Sequence, residues 1–250
     1  MASKKSLPIS GTLTVMVIVV VLVPSAMLDE TAVFRDTFMK KCVGYPEDKN
    51  TCKATLAIFE EAYVGKDKTA VTEESYNTLF DKTPFKHPCG KTMFWSGTYE
   101  LASRFTQKRD NFYNVGDTLL GHVLTGMAWC GKAGSKETFT DNCADVFPNP
   151  VLSFWLKISV KFAQYACDDS YVMLDGEKDQ PYYTGTVLDT HEVPNLQTNR
   201  LKSFTAILVV NKETGTKCNK ESLKNLSNIL KGKKINYACK EVTRSIKNCF

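Results

Sequence analysis

Phe204-Thr205-Ala206-Ile207-Leu208-Val209-Val210 is the stretch on which the fold turns. It is rich in β-branched residues and is bounded by Asn211 and Gly215, which reads as a strong strand. Working outward, Tyr171–Leu174 is a shorter apolar run closed by the turn signal Asp175-Gly176, and Ile235–Ala238 reads as another strand. Between the last two strands, Ser222–Leu230 carries Leu223, Leu226 and Leu230 on one helical face, with Gly232 placed to end it. Gln180–Leu188 reads as loop. The order strand, strand, helix, strand predicts a small parallel sheet with helical cover.

Upstream of Cys167 the texture is helical. Lys53–Tyr63 spaces Leu56, Phe59 and Tyr63 at three- and four-residue steps. Asp117–Trp129 repeats the pattern with Leu120, Val123, Leu124 and Met127, and Asp117 is expected as its N-cap. Ser153–Ala166 is a third such helix, with Pro148 and Pro150 stopping anything helical from running into it. The expected architecture is therefore α/β: a helical N-terminal lobe, about 29–165, packed on an α/β lobe, about 166–250.

The 250 residues suffice for one large domain or two small lobes, and 43% hydrophobic with 24% charged residues is ordinary globular composition. Net charge is only +5, but nine Lys or Arg between Lys217 and Cys249 face only Glu221 and Glu241. Tyr237 alone among aromatic residues interleaves with those lysines, so the stretch reads as a solvated face rather than a nucleic-acid platform.

Lys4 and Lys5 precede an apolar run, Thr12–Leu28, whose 17 residues fit both a short membrane anchor and a signal peptide. Residues 1–28 are thus expected to be an export segment, and 29–250 the exported part. Either the chain is a single-pass type II protein of the cell surface, or it is secreted after cleavage. Nine cysteines suit that compartment and read as disulfides. With no CxxC pair, no HExxH and three histidines, no metal site is expected. Asn225-Leu226-Ser227 is a glycosylation acceptor. The odd cysteine count points to Cys249 as unpaired or paired with another chain, which leaves a homodimer open.

Three segments look unusual for scaffold: Met93-Phe94-Trp95-Ser96-Gly97, an aromatic pair followed by small residues; Ser153–Ser159, with Trp155 and Ser159 four apart on one helical face; and His191-Glu192-Val193-Pro194-Asn195-Leu196, an acid beside a proline. With Asp117–Gly121, Trp129-Cys130-Gly131, Asn149-Pro150 and Tyr171–Gly176 in the same order, they resemble the ADP-ribosyl cyclase family from about Phe34 to Cys249. The resemblance implies an active-site cleft between the lobes and cleavage of the nicotinamide–ribose bond of NAD, to nicotinamide with ADP-ribose, cyclic ADP-ribose or both. It implies that Glu192 is the catalytic glutamate, that Trp95 and Trp155 hold the nicotinamide end, and that Ser159 contacts the ribose or its phosphate. Asp117 would lie near the nicotinamide, and Ser96 would offer a donor to phosphate oxygens. NAD is then a consumed substrate and no cofactor is expected, in keeping with the lack of a GxGxxG turn. The chemistry asks for an acid of this kind: nicotinamide leaves as a neutral base without protonation, while the oxocarbenium-like ribose needs a carboxylate beside it.

The family pattern further implies the pairs Cys42–Cys52, Cys89–Cys167, Cys130–Cys143 and Cys218–Cys239. One family bridge has lost both partners, near Lys66–Thr69 and Asp145–Pro148. The departures bear on outcome. Gly116 stands where members that both cyclise and hydrolyse commonly carry a second glutamate, Thr125 where some carry an acid, and Val187-Leu188 where others hold adenine or phosphates. Bond cleavage is expected to survive, with hydrolysis ahead of cyclisation. A competing reading, a receptor or adhesion ectodomain of the same fold with little catalysis, draws on those same departures. An unrelated serine hydrolase finds no GxSxG element.

Overall fold

The computed structural model describes residues 29–45, 48–108 and 112–243; the expected export segment and Cys249 lie outside them. Helix α1, Glu30–Gly44, starts at Asp29, whose carboxylate accepts from the Thr31 N–H, and α2, Lys49–Glu61, starts at Asp48 in the same manner. The short α3, Asn77–Lys82, leads to β1, Thr92–Ser96, followed by α4, Tyr99–Lys108. Next come α5, Leu119–Leu124, and α6, Pro150–Tyr165, the latter with Asn149 as N-cap and Pro150 in its first turn, where the missing N–H costs nothing. Strands β2, Asp168–Asp175, and β3, Leu201–Val210, precede α7, Glu221–Gly232, and β4, Asn236–Thr243.

The four strands form one all-parallel sheet in the order β1-β2-β3-β4. Its side chains alternate between two buried layers. Phe94, Val172, Leu174, Ala206 and Leu208 face the main core with the helices, and Met93, Met173, Ile207 and Val209 face a smaller cluster with Ala102 and Phe105 of α4. The sheet extends further than expected: β1 comes from the Met93–Gly97 segment and pairs with β2 in the register Phe94 to Val172. The main core also runs without a break from Phe34, Phe59 and Trp129 to Phe204 and Leu230, so the helical and α/β halves share one interior. In the helical part, Trp129 donates through Nε1 to the Tyr76 hydroxyl at 3.0 Å, which donates to the Pro150 carbonyl at 2.8 Å, so the buried polar tips are satisfied.

The expected helix over Asp117–Trp129 is shorter and starts one residue later. Thr118 is the cap of α5, its Oγ1 accepting from the Gly121 N–H at 3.2 Å, and the helix stops at Leu124. Asp117 instead closes a 3₁₀ turn, Val115–Asp117, accepting from the Asn114 N–H at 2.8 Å while Asn114 accepts from Gly116 N–H at 2.7 Å. Gly121 is required there, since a Cβ would stand 1.9 Å from the Val115 carbonyl oxygen.

All four expected disulfides are present. Cys89–Cys167 ties the approach to β1 to the approach to β2, closing a 78-residue separation; a loop of that size adds about 4.5 kcal/mol in the chain-entropy account. Between the segments Lys66–Thr69 and Asp145–Pro148, which the resemblance marks for a lost bridge, Lys68 donates to both carboxylate oxygens of Asp145 at 2.5 and 2.7 Å and to the Asn142 carbonyl at 3.0 Å, so an ion pair joins the two. The basic C-terminal stretch is more than a solvated face. Lys217 pairs with Glu177, and Lys220 donates to the carbonyls of Gly176 and Lys178.

Candidate active site

A cleft of ≈ 750 Å³, the largest cavity described, opens at the C-terminal end of β1 and along α6. Its size suits a dinucleotide-sized ligand. Strand β1 delivers Trp95 and Ser96 to one wall, and Gly97, at φ +69°, turns the chain from β1 toward α4; this backbone conformation strains any residue with a Cβ. Trp95 packs against Tyr99 with ring centroids 5.1 Å apart. Helix α6 presents Trp155 and Ser159 on one face as their spacing predicts. The Trp155 ring is held edge-on by Phe154 at 5.3 Å, itself completely buried in the aromatic core.

Glu192 arrives from an unexpected element. Leu188–Glu192 is a single π turn followed at once by the 3₁₀ turn Val193–Asn195, at the end of the stretch Gln180–Leu188 that reads as loop. Such widened turns bulge a side chain out of register and occur at functional sites. This one is pinned on both sides. Asp189 accepts from the Tyr182 hydroxyl at 2.6 Å and the Gly185 N–H at 3.0 Å, while Asn195 donates to the His191 carbonyl at 2.9 Å and accepts from Gln164 of α6 at 3.3 Å. The Glu192 carboxyl is therefore fixed in the cleft wall with 7% exposure. Burial pushes its pKa up to about 8, against a smaller opposing effect from the Ser159 hydrogen bond, which favours the carboxylate. A buried acid whose ionisation is held near neutrality, with a hydroxyl neighbour and two tryptophans in the same cleft, is an arrangement for charge chemistry rather than for packing.

Gly116, Thr125, Val187 and Leu188 line the same cleft, so each of the departures noted in the sequence faces the site. Among the described residues lining it, Glu192 is the one with an ionisable carboxyl, and none is a lysine or arginine. Asp117 is the expected site residue that the structure does not bring to this wall. It lines a separate cavity of ≈ 350 Å³ with Tyr45, Lys82 and His87, its backbone carbonyl accepting from the Tyr45 hydroxyl at 3.0 Å, while its carboxyl is raised in pKa mainly by burial. Asn225 lies exposed on α7. Among the described residues no helix is long and apolar enough to cross a membrane.

Comparisons with known proteins converge. A family model described as ADP-ribosyl cyclase matches residues 31–250. The rat protein ADP-ribosyl cyclase/cyclic ADP-ribose hydrolase 1 is 30% identical over 226 residues, covering 86% of this chain and 75% of that one. The ADP-ribosyl cyclase/cyclic ADP-ribose hydrolase of Aplysia kurodai is 28% identical over 239 residues, covering 89% and 84%. Among solved structures, porcine CD38 complexed with a covalent intermediate, ribo-F-ribose-5'-phosphate, superposes with a TM-score of 0.77 at 29% identity, covering 84% of this chain and 96% of that one.

Proposed function

The chain belongs to the ADP-ribosyl cyclase family, and from that premise we propose that it cleaves the nicotinamide–ribose bond of NAD, with Glu192 as the carboxylate that stabilises and captures the ribosyl cation. The observation that carries this reading is Glu192 itself: one buried carboxyl, set in a cleft that Ser159, Trp95 and Trp155 also line.

The steps follow from those residues. NAD enters with its cationic pyridinium toward the tryptophan faces, whose negative π surfaces attract it. The approaching positive charge favours ionisation of Glu192, which burial alone disfavours, so the binding of substrate itself readies the carboxylate. As the C1'–N bond breaks, its electron pair leaves with neutral nicotinamide. Positive charge moves onto the ribose ring, beside a desolvated anion whose attraction is strong in this dry wall. Collapse of the carboxylate onto C1' gives an ester, and the covalent intermediate held by the porcine relative supports this route. Water at C1' then releases ADP-ribose and regenerates Glu192; attack by the substrate's own adenine instead gives cyclic ADP-ribose. Ser159 donates to the carboxylate and accepts from a ribose hydroxyl. Ser96 donates to phosphate oxygens, and Asp117 contributes from behind by holding the turn that places Gly116 in the wall.

Hydrolysis is the favoured outcome in this reading, because Gly116 offers the adenine no carboxylate partner. NAD is consumed as substrate, and the scheme uses no cofactor. The four disulfides support an oxidising compartment. Within the proposal, residues 29–250 are an ectodomain, glycosylated at Asn225 and tethered in type II orientation by Thr12–Leu28, with Cys249 available to a second copy. Incubating residues 29–250 with NAD and separating nicotinamide, ADP-ribose and cyclic ADP-ribose tests the reading. ADP-ribose is expected to exceed the cyclic product, and release of no nicotinamide would contradict it. The receptor reading predicts that second result.

A further inference from the structure

The cleft poses an electrostatic problem under that reading. NAD carries two negative phosphates, yet the described lining residues include no lysine or arginine, and the one carboxyl among them repels an anion. Lys41 reaches the lining only to donate to the Thr125 carbonyl at 2.6 Å. Among the described residues, Lys178 stands at the mouth. The Lys178 ammonium lies 5.6 Å from the centre of the Tyr183 ring, and 3.0 Å from where a Cβ on Gly97 would be. Gly97 and Tyr183 both line the cleft, and Gly97 follows Ser96 directly.

The backbone that carries Lys178 is clamped. Its N–H donates to the Asp175 carbonyl at 3.3 Å, and the Glu177 N–H donates to the Asp175 carboxylate at 3.1 Å. The Gly176 N–H donates to the Val209 carbonyl at 2.9 Å. Glu177 accepts from the Asn211 N–H at 3.0 Å and from Lys217, and Lys220 donates to the carbonyls of Gly176 and Lys178. A turn held at this many points to the end of the sheet fixes where the side chain starts, so little chain entropy is lost when the ammonium meets an anion. Tyr183 holds the ammonium by its ring face meanwhile. Gly97 is the other half of the device: with no side chain there, the space beside Ser96 is left to Lys178.

We infer that Lys178 is a positioning and specificity residue of this site, its ammonium reaching across Gly97 to pair with the diphosphate of the substrate. The inference rests on the reading of the cleft given above and deepens it. Lys178 is distant from the bond that breaks, so it adds to ground-state and transition-state binding equally and acts through KM rather than kcat.

The test compares two substrates that share the scissile bond and leaving group, NAD and nicotinamide riboside, which has no phosphate. Nicotinamide release is measured for the unaltered chain, Lys178→Ala and Lys178→Arg. A partly solvated pair of this kind supports about a fivefold effect. Lys178→Ala is expected to lower the kcat/KM ratio of NAD over the riboside by that factor, with the loss falling on the KM for NAD. Lys178→Arg should restore the ratio, and the difference between variants should shrink as salt is raised. A loss in equal proportion on both substrates, or an unchanged KM for NAD, would overturn this inference while leaving the cleavage reading intact. An unaltered chain that releases nicotinamide from neither substrate would overturn the cleavage reading, and this inference with it.

Discussion

Glu192→Gln should make the empty protein more stable at neutral pH while disabling it. The buried carboxyl is held at about 8 against an ordinary 4.5. The folded state therefore keeps the Glu192 proton where the unfolded chain has released it. Below about pH 4.5 both states are protonated and the group contributes nothing. As pH rises toward 8 the unfolded state gains ionisation that the fold resists, so stability falls across that window. At pH 7 the gap is about 2.5 units at ~1.36 kcal/mol each, or roughly 3 kcal/mol. Glutamine keeps the shape of the acid and accepts from Ser159 through its carbonyl, but cannot ionise. Thermal unfolding of both forms without ligand should show the variant melting about 6–12 °C higher at pH 7, taking 2–4 °C per kcal/mol for a chain of this size. At pH 4.5, where the unfolded glutamate is half ionised, the gap should shrink to about 1 °C. His87, lowered to about 4 by burial, destabilises the fold as pH drops from 6.5, the opposite sense; it is present in both proteins and cancels from the difference. A gap of equal size at both pH values, or no gap at pH 7, would refute the claim that desolvation of Glu192 is the cause.

The free enzyme must ionise Glu192 to work, so kcat/KM should fall about tenfold per unit below pH 8, while the limb in kcat lies lower because the bound pyridinium favours the carboxylate; parallel pH–rate profiles decide this, and a kcat/KM flat from pH 8 to 6 counts against it. Trp155→Ala should cost about tenfold in kcat/KM through lost stacking, with Trp155→Phe recovering most of it; equal losses in the two would remove stacking from the account. Gly116→Glu should shift product toward cyclic ADP-ribose. Its Cβ would come within 3.0 Å of Asn114 Oδ1, so a small loss of melting temperature should accompany the shift, and an unchanged product ratio would deny the steering role. Asp117→Ala removes the acceptor for the Asn114 N–H and should cost about 1 kcal/mol of stability, read by denaturant unfolding.

Long-range pairing and one-residue cap choices are what the sequence left illegible. Strand β3 was plain because Phe204–Val210 is rich in β-branched residues, and the structure adds Leu201–Ser203 before it. Strand β1 was not, because Thr92–Ser96 is too short for a period and its partner strand lies beyond three helices. Asp117 and Thr118 are both good caps one position apart, and the choice between them is made by the close packing of Gly121 on Val115, which no local pattern encodes. The π turn at Leu188–Glu192 depends on Asp189 reaching back to Tyr182 and Gly185, a tertiary contact within a polar stretch that reads as loop. Trp95, Trp155, Ser159 and Glu192 were legible as ordered motifs, and the fold brings all four to one cleft. Lys178 had no sequence signal: an exposed lysine after a turn is ordinary, and only the space over Gly97 sets it apart.

The central claim is that one carboxylate, Glu192, carries the cleavage of NAD. Its most direct test is the rate of nicotinamide release by residues 29–250 and by the Glu192→Gln variant at saturating NAD and pH 8, with the variant shown to be folded by the melting experiment above. The account predicts a loss of about a thousandfold or more, the scale expected when the charge that stabilises the transition state is removed. Release within a few fold of the unaltered chain would contradict it.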